Sequence, residues 1–199
     1  PETLINVLEI VNYGVESFRS VGTADSPGTK LFCLSGDVAQ PGLYEAAFGL
    51  PLNELLNTAG VLVGDVQAVL LGGAAGSFLG PQGLDLPLSF EGTAERGATL
   101  GSGAVTVFSR DVDLWPVLVR LAKFFRDESC GQCVPCRIGT TRQHEVLLQI
   151  QGTAPQESTR DLLSDLSLVM GDSSICGLGH TAASAVQSAF ALGLVEAET

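Results

Sequence analysis

Basic residues are scarce in this chain: 10 lysines and arginines stand against 22 aspartates and glutamates, for a formal charge of −12. Such a surface repels a phosphate backbone, so no nucleic acid is expected as a partner. Long apolar runs are missing too. The most hydrophobic stretch, Leu114 to Phe125, is interrupted by Pro116, Arg120 and Lys123, short of the roughly 18 apolar residues that mark a membrane-spanning helix. Direct membrane insertion is therefore not expected, and no secretory signal is recognisable. A disulfide framework is disfavoured by the odd count of five cysteines, three of them too closely packed to pair with one another. These features lead to a reducing compartment, the cytoplasm, as the expected location. A nucleotide fingerprint is also lacking: Gly72-Gly73-Ala74-Ala75-Gly76 does not have the G-x-G-x-x-G spacing and no helical pattern follows it, so it reads as a tight turn.

With 199 residues, 45% of them hydrophobic, the chain can bury one sizeable core or two small ones. Residues 2–18 carry Leu4, Ile5, Leu8, Ile10 and Val11 at helical spacing, ending near Gly14 or shortly after it. Strand patterns follow. Leu31–Leu34 and Leu43–Ala46 flank a turn-rich stretch and read as a hairpin, Pro51 opens a short helix closed by Gly60, and Val66–Leu71 and Ala104–Phe108 are further strands. The order suggests a small β-grasp, or ubiquitin-like, domain over residues 28–110. The remainder, 111–199, reads as four helices. Leu114, Val117, Leu118, Leu121 and Phe125 stripe the first, with Asp113 as a candidate N-cap. The second runs from about Ile138 to Ile150 with Val146, Leu147 and Ile150 inward. The third runs from Ser158 or Thr159 to Gly171 through Leu162, Leu163, Leu166, Val169 and Met170. The fourth carries Ala182, Ala185, Val186, Ala189 and Phe190 and ends at Gly193. Short connections make this an antiparallel four-helix bundle, and the fold class is α+β.

Against this background the cysteines carry the chemistry. Cys130-Gly131-Gln132-Cys133-Val134-Pro135-Cys136 places three thiols on one tight loop, a spacing suited to three irons of a cubane, with Cys176 as a distant fourth ligand. A 4Fe-4S cluster is the leading reading. The alternative is a structural zinc in a protein-interaction domain without redox function, closed by Cys176 or by His180, although zinc modules usually bring two separated pairs of ligands. In an up-down bundle the loop holding Cys130, Cys133 and Cys136 and the loop holding Cys176 lie at the same end. Helices starting just after Cys136 and Cys176 would turn their positive ends to an anionic cluster. Gly131, Gly177 and Gly179 would let backbone approach sulfur, and Arg137 would add positive charge. Cys33 reads as a small core residue of a strand and His144 as an outward-facing residue of the second helix.

Two segments resemble a known family. Glu128-Ser129-Cys130-Gly131-Gln132-Cys133-Val134-Pro135-Cys136-Arg137-Ile138-Gly139-Thr140, with Ile175-Cys176-Gly177-Leu178-Gly179, is similar to the cluster-binding domain of the complex I (NADH dehydrogenase) flavoprotein subunit. Related subunits occur in NAD-dependent formate dehydrogenases and NAD-reducing hydrogenases. Ser26 to Gly36 resembles the start of the family's soluble-ligand-binding β-grasp domain, and Glu2-Thr3-Leu4 resembles a segment before it. Ile138–Gln143 and Gly177–His180 look closer to the formate dehydrogenase and hydrogenase branch. The resemblance implies Cys130, Cys133, Cys136 and Cys176 as ligands of one 4Fe-4S cluster, with Gly177-Leu178 on its flavin side. It implies FMN and NAD on a domain absent from this sequence, residues 1–27 being a helical linker from that domain. It also implies a thioredoxin-like 2Fe-2S subunit and a larger iron–sulfur subunit as partners. The implied role is a relay of single electrons, without NADH oxidation by this chain alone.

Overall fold

In the computed structural model, which describes residues 2–61 and 63–195, the first elements are the helices α1 (Glu2–Tyr13) and α2 (Val15–Arg19), broken by Gly14 at φ 88°. That left-handed conformation suits glycine, so α1 ends there as its sequence suggests. Leu4, Ile5, Leu8 and Val11 of α1 are exposed.

One five-stranded sheet follows, built from β1 (Thr29–Gly36), β2 (Gly42–Ala47), β3 (Val66–Leu71), β4 (Ser77–Leu79) and β5 (Ala104–Ser109) in the spatial order β2-β1-β5-β3-β4. β1 and β5 are parallel; the other neighbours are antiparallel. Helix α3 (Leu52–Thr58) lies between β2 and β3, and α4 (Phe90–Glu95) between β4 and β5. Side chains alternate along a strand, and β1 shows it: Phe32 and Leu34 are buried, whereas Leu31 and Cys33 face out. Cys33 is thus exposed, not the core residue expected, because an apolar run in a strand covered on one face still turns every second residue outward.

Strand β3 is buried on both faces. Val66, Val69 and Leu71 join a core with Leu52, Leu55 and Leu56 of α3. Ala68 and Leu70 face a second core that includes Phe78 and the helices of the C-terminal half. Val66 and Ala68 fall on different faces because an irregularity between them shifts the alternation. Gly72–Gly76 is the expected tight turn, between β3 and β4, and its Ala74 and Ala75 pack against Phe125, Met170 and Ala182.

The remaining helices are α5 (Trp115–Glu128), α6 (Val134–Ile150), α7 (Glu157–Ser173), α8 (Gly177–Thr181) and α9 (Ser184–Ala191). The N-cap of α5 is Leu114 rather than the expected Asp113, which lies one residue earlier and accepts from the Trp115 N–H through its Oδ1 at 2.9 Å. Val146 and Leu147 of α6 are buried as expected, and Leu163 and Met170 of α7 with them. Val169 is exposed instead of inward, and α7 runs past Gly171 to Ser173. The single fourth helix expected to start just after Cys176 and to end at Gly193 is two helices, α8 and α9. They break at Ala182-Ala183, where the Ala182 carbonyl accepts from Gln143 Nε2 at 2.9 Å. The sheet is tied to α9 by Ser188 Oγ, which accepts from the Phe78 N–H at 2.8 Å.

The N-terminal segment is fastened to the sheet domain by Glu91, whose carboxylate accepts from the hydroxyls of Thr23 at 2.6 Å and Ser26 at 2.5 Å. The Ser26 and then the Thr23 hydrogen bond hold its carboxyl down from the ordinary 4.5 to about 2. A carboxyl depressed by folding contributes stability above its unfolded value, and that contribution fades as pH falls from 4.5 towards 2. Glu91→Gln is therefore expected to lower the Tm at pH 7, with the gap from the wild type shrinking over that acid range; a gap independent of pH would contradict the clamp.

Candidate functional site

Helix α5 stops at Ser129, whose ψ of 121° is extended, and the chain turns back through Gly131 at φ 76°. Cys133 is the N-cap of α6, and Pro135 occupies the first turn, where its missing N–H costs nothing. Helix α6 thus begins four residues earlier than its apolar pattern suggests, and Cys136 sits inside its first turn. At the other loop, Ser174 and Ile175 lead to Cys176, which is the N-cap of α8.

The two loops meet. Cys130, Cys133, Cys136 and Cys176 line one pocket of about 230 Å³, together with Ser129, Ile175 and Leu178. Cys136 is buried, Cys133 half-buried, and Cys130 and Cys176 are exposed at the rim. Among the described residues, no group of three or more His, Cys, Asp or Glu is gathered tightly enough to hold a single metal ion. Four thiols lining one space from two loops are a donor set that suits a cubane cluster.

The electrostatics of the thiols differ. The Ile175 N–H, then that of Cys136, favour the Cys133 thiolate and hold its pKa below the usual cysteine value. Burial pushes the Cys136 thiol up; the Ser129 hydroxyl opposes this, and the neighbouring sulfurs of Cys133, Cys176 and Cys130 add to it. Ser129 Oγ lies 3.3 Å from Cys136 Sγ. Arg137 turns its Nη1 onto the Gly131 carbonyl at 2.5 Å, so its charge braces the cysteine loop. His180 Nε2 is 2.7 Å from the Ser174 carbonyl, a contact that requires the proton on that nitrogen.

His144 is buried, not outward-facing. Its Nδ1 meets Arg126 Nη1 at 3.0 Å, and burial, followed by the charge of Arg126, keeps its pKa below the usual histidine range. Gly139 and Gly179 are close-approach positions. A Cβ on Gly139 would lie 2.5 Å from Met170 Cγ, and one on Gly179 would collide with Ser174 Oγ and lie 3.1 Å from Cys136 Cβ. Ser129, Ser174 and Gln143 escape the sequence reading. For the two serines the one available signal is adjacency to the cysteine loops.

Residues 116–192 match the family described as the NADH-ubiquinone oxidoreductase-F iron-sulfur binding region. The F subunit of the NADH-quinone oxidoreductase of Mycobacterium tuberculosis is 37% identical over 189 residues, covering 94% of this chain and 42% of that protein. The HndC subunit of the NADP-reducing hydrogenase of Solidesulfovibrio fructosivorans is 36% identical over 187 residues, covering 90% and 37% respectively. A crystal structure of an NAD+-reducing nickel–iron hydrogenase in the H2-reduced state superposes with a TM-score of 0.86 at 38% identity, covering 96% of this chain and 32% of that one. The chain spans less than half the length of these relatives.

Gly179→Ala should push α8 away from Ser174 and Cys136, at a cost on the order of 1–3 kcal/mol for an overpacked contact. A lower Tm and a reduced metal content are expected together; a variant with wild-type values of both would show that this approach is not needed.

Proposed function

Because this chain belongs, through residues 116–192, to the family of NADH-ubiquinone oxidoreductase-F iron-sulfur binding regions, we propose that Cys130, Cys133, Cys136 and Cys176 ligate one 4Fe-4S cluster in an electron-transfer module. The observation that carries the assignment of ligands is the convergence of these four thiols, from two separate loops, on a single pocket. When bound, the cluster supplies a one-electron couple. The protein's part is to hold the thiols as thiolates, to neutralise them and to limit water. The N–H groups of Ile175 and Cys136 favour the thiolate at Cys133, and the N-terminus of the 17-residue α6 turns its positive end towards the pocket. Ile175 and Leu178 supply an apolar wall.

The order of strands, with β1 parallel to β5, supports a β-grasp domain at 28–110, and α5 to α9 support a four-helix bundle at 111–199 whose last helix is broken. Residues 1–27 would link these to a flavin-binding domain. NADH-quinone oxidoreductase and NAD+-reducing hydrogenase are the relatives' names, which supports NAD as the source or sink of electrons and FMN as the intermediary outside this chain. Leu178 on the pocket wall is a fitting place for the flavin side. A thioredoxin-like 2Fe-2S subunit and a larger iron–sulfur subunit are the proposed partners, in a parent complex of the NADH dehydrogenase, hydrogenase or formate dehydrogenase kind. The cytoplasm is the proposed location. Among the described residues no helix is long and apolar enough to cross a membrane.

Loss of one ligand gives the direct test. Cys176→Ala, purified anaerobically, is expected to lose or degrade the cluster, read as a fall in iron and acid-labile sulfide per chain and in visible absorbance. Full retention of a reducible 4Fe-4S signal would falsify the assignment of Cys176. A colourless wild-type protein loaded with zinc would support the structural-zinc reading instead.

A further inference from the structure

Two serines flank the thiols, one on each loop. Ser129 Oγ lies 3.3 Å from Cys136 Sγ and accepts from the Gly131 N–H at 3.4 Å. With an oxygen lone pair occupied by that amide, its proton is free to point at sulfur. A ligating cysteine is a thiolate and has no proton to give, so once Cys136 is a ligand the hydroxyl can only be the donor.

Ser174 belongs to the other loop, two residues before Cys176, and its side chain sits at Gly179 beside Cys136. It is 9% exposed, and its Oγ is a buried polar atom with no hydrogen bond formed within the chain. A buried hydroxyl without a partner is costly and calls for an explanation. The residue is nonetheless held firmly: its N–H donates to the Met170 carbonyl at 3.2 Å, its carbonyl is met by His180 Nε2 at 2.7 Å, and Gly179 packs directly on its side chain.

Resting on the cluster assignment above, we propose that the Ser129 hydroxyl donates a hydrogen bond to the Cys136 sulfur, that the orphaned Ser174 hydroxyl donates one to a sulfur of the same cluster, and that both thereby raise the reduction potential of the cluster. The direction follows from charge: a donor to sulfur stabilises the reduced state more than the oxidised one, because the reduced cluster carries one more negative charge. One donor on each loop also means that the potential reads the relative placement of the two loops. No proton is transferred and no covalent bond changes.

The experiment uses the full chain, purified anaerobically, as wild type, Ser129→Ala, Ser174→Ala and the two serine-to-threonine variants. Iron and sulfide content shows whether each holds a cluster, an EPR-monitored redox titration gives its midpoint potential, and pulsed ENDOR in H2O and D2O detects exchangeable protons coupled to it. The expected result is retained cluster, a midpoint shifted to more negative potential in each alanine variant, and loss of one exchangeable proton coupling in each. The threonine variants, which keep the hydroxyl, should recover both. Cluster-loaded alanine variants with the wild-type midpoint and unchanged couplings would overturn the proposal. If an alanine variant fails to assemble, a threonine variant with wild-type potential supports the donor role and one displaced to more negative potential overturns it. A wild-type chain that binds no iron would instead refute the ligand assignment, before any serine is compared.

Discussion

Four sulfurs brought to one pocket repel one another as soon as they ionise, and the way this repulsion is offset organises the C-terminal half of the molecule. Cys136 feels it directly, since burial and the three other thiols all disfavour its charge. The compensation comes from fixed backbone dipoles. Cys133 and Cys176 each occupy the position before a helix begins, where free N–H groups point outward and the helix end is positive. The proposed ligands and their counter-dipoles are thus supplied by the same residues. Because ligation would remove the remaining thiol protons, the proposed cluster binding would be coupled to formation of these loops.

The packing beneath the pocket keeps the two loops at their distance. Gly139 lets α6 approach Met170 of α7, and Gly179 lets α8 settle on Ser174 and Cys136. The break at Ala182-Ala183 allows a short α8 to start at Cys176 while α9 keeps its own direction against the sheet. Gln143 satisfies the carbonyl exposed by that break. The sheet contributes through β3, whose second face belongs to the helical core, and through the Gly72–Gly76 turn, whose alanines pack on Phe125 and Met170 near the pocket end. The sheet is a buttress of the cysteine loops rather than a separate appendage.

Much of this is legible in the residues. The C-x-x-C-x-x-C run and Cys176 are local signals, and helical patterns on either side are enough to bring them to one end of the fold. Readings that depend on which face is covered fare less well. Cys33 lies in an apolar run yet points outward, because nothing in the run Leu31 to Leu34 says that only one face of β1 is packed. His144 reads as a surface residue because a polar side chain within a helix usually is one; its burial depends on Arg126, 18 positions away. The early start of α6 is hidden because Val134, Pro135 and Cys136 have no helical periodicity; the first turn carries Pro135 rather than an apolar stripe. Ser174 shows the same limit: its orphaned hydroxyl becomes visible only when α8 closes over it.

The account stands on the identity of what the four cysteines hold. Metal and sulfide analysis of the anaerobically purified chain, with its EPR spectrum before and after reduction by dithionite, tests this most directly. The prediction is about four irons and about four acid-labile sulfides per chain, with a paramagnetic signal appearing on one-electron reduction. About one zinc per chain, no sulfide and no signal in either state would contradict it.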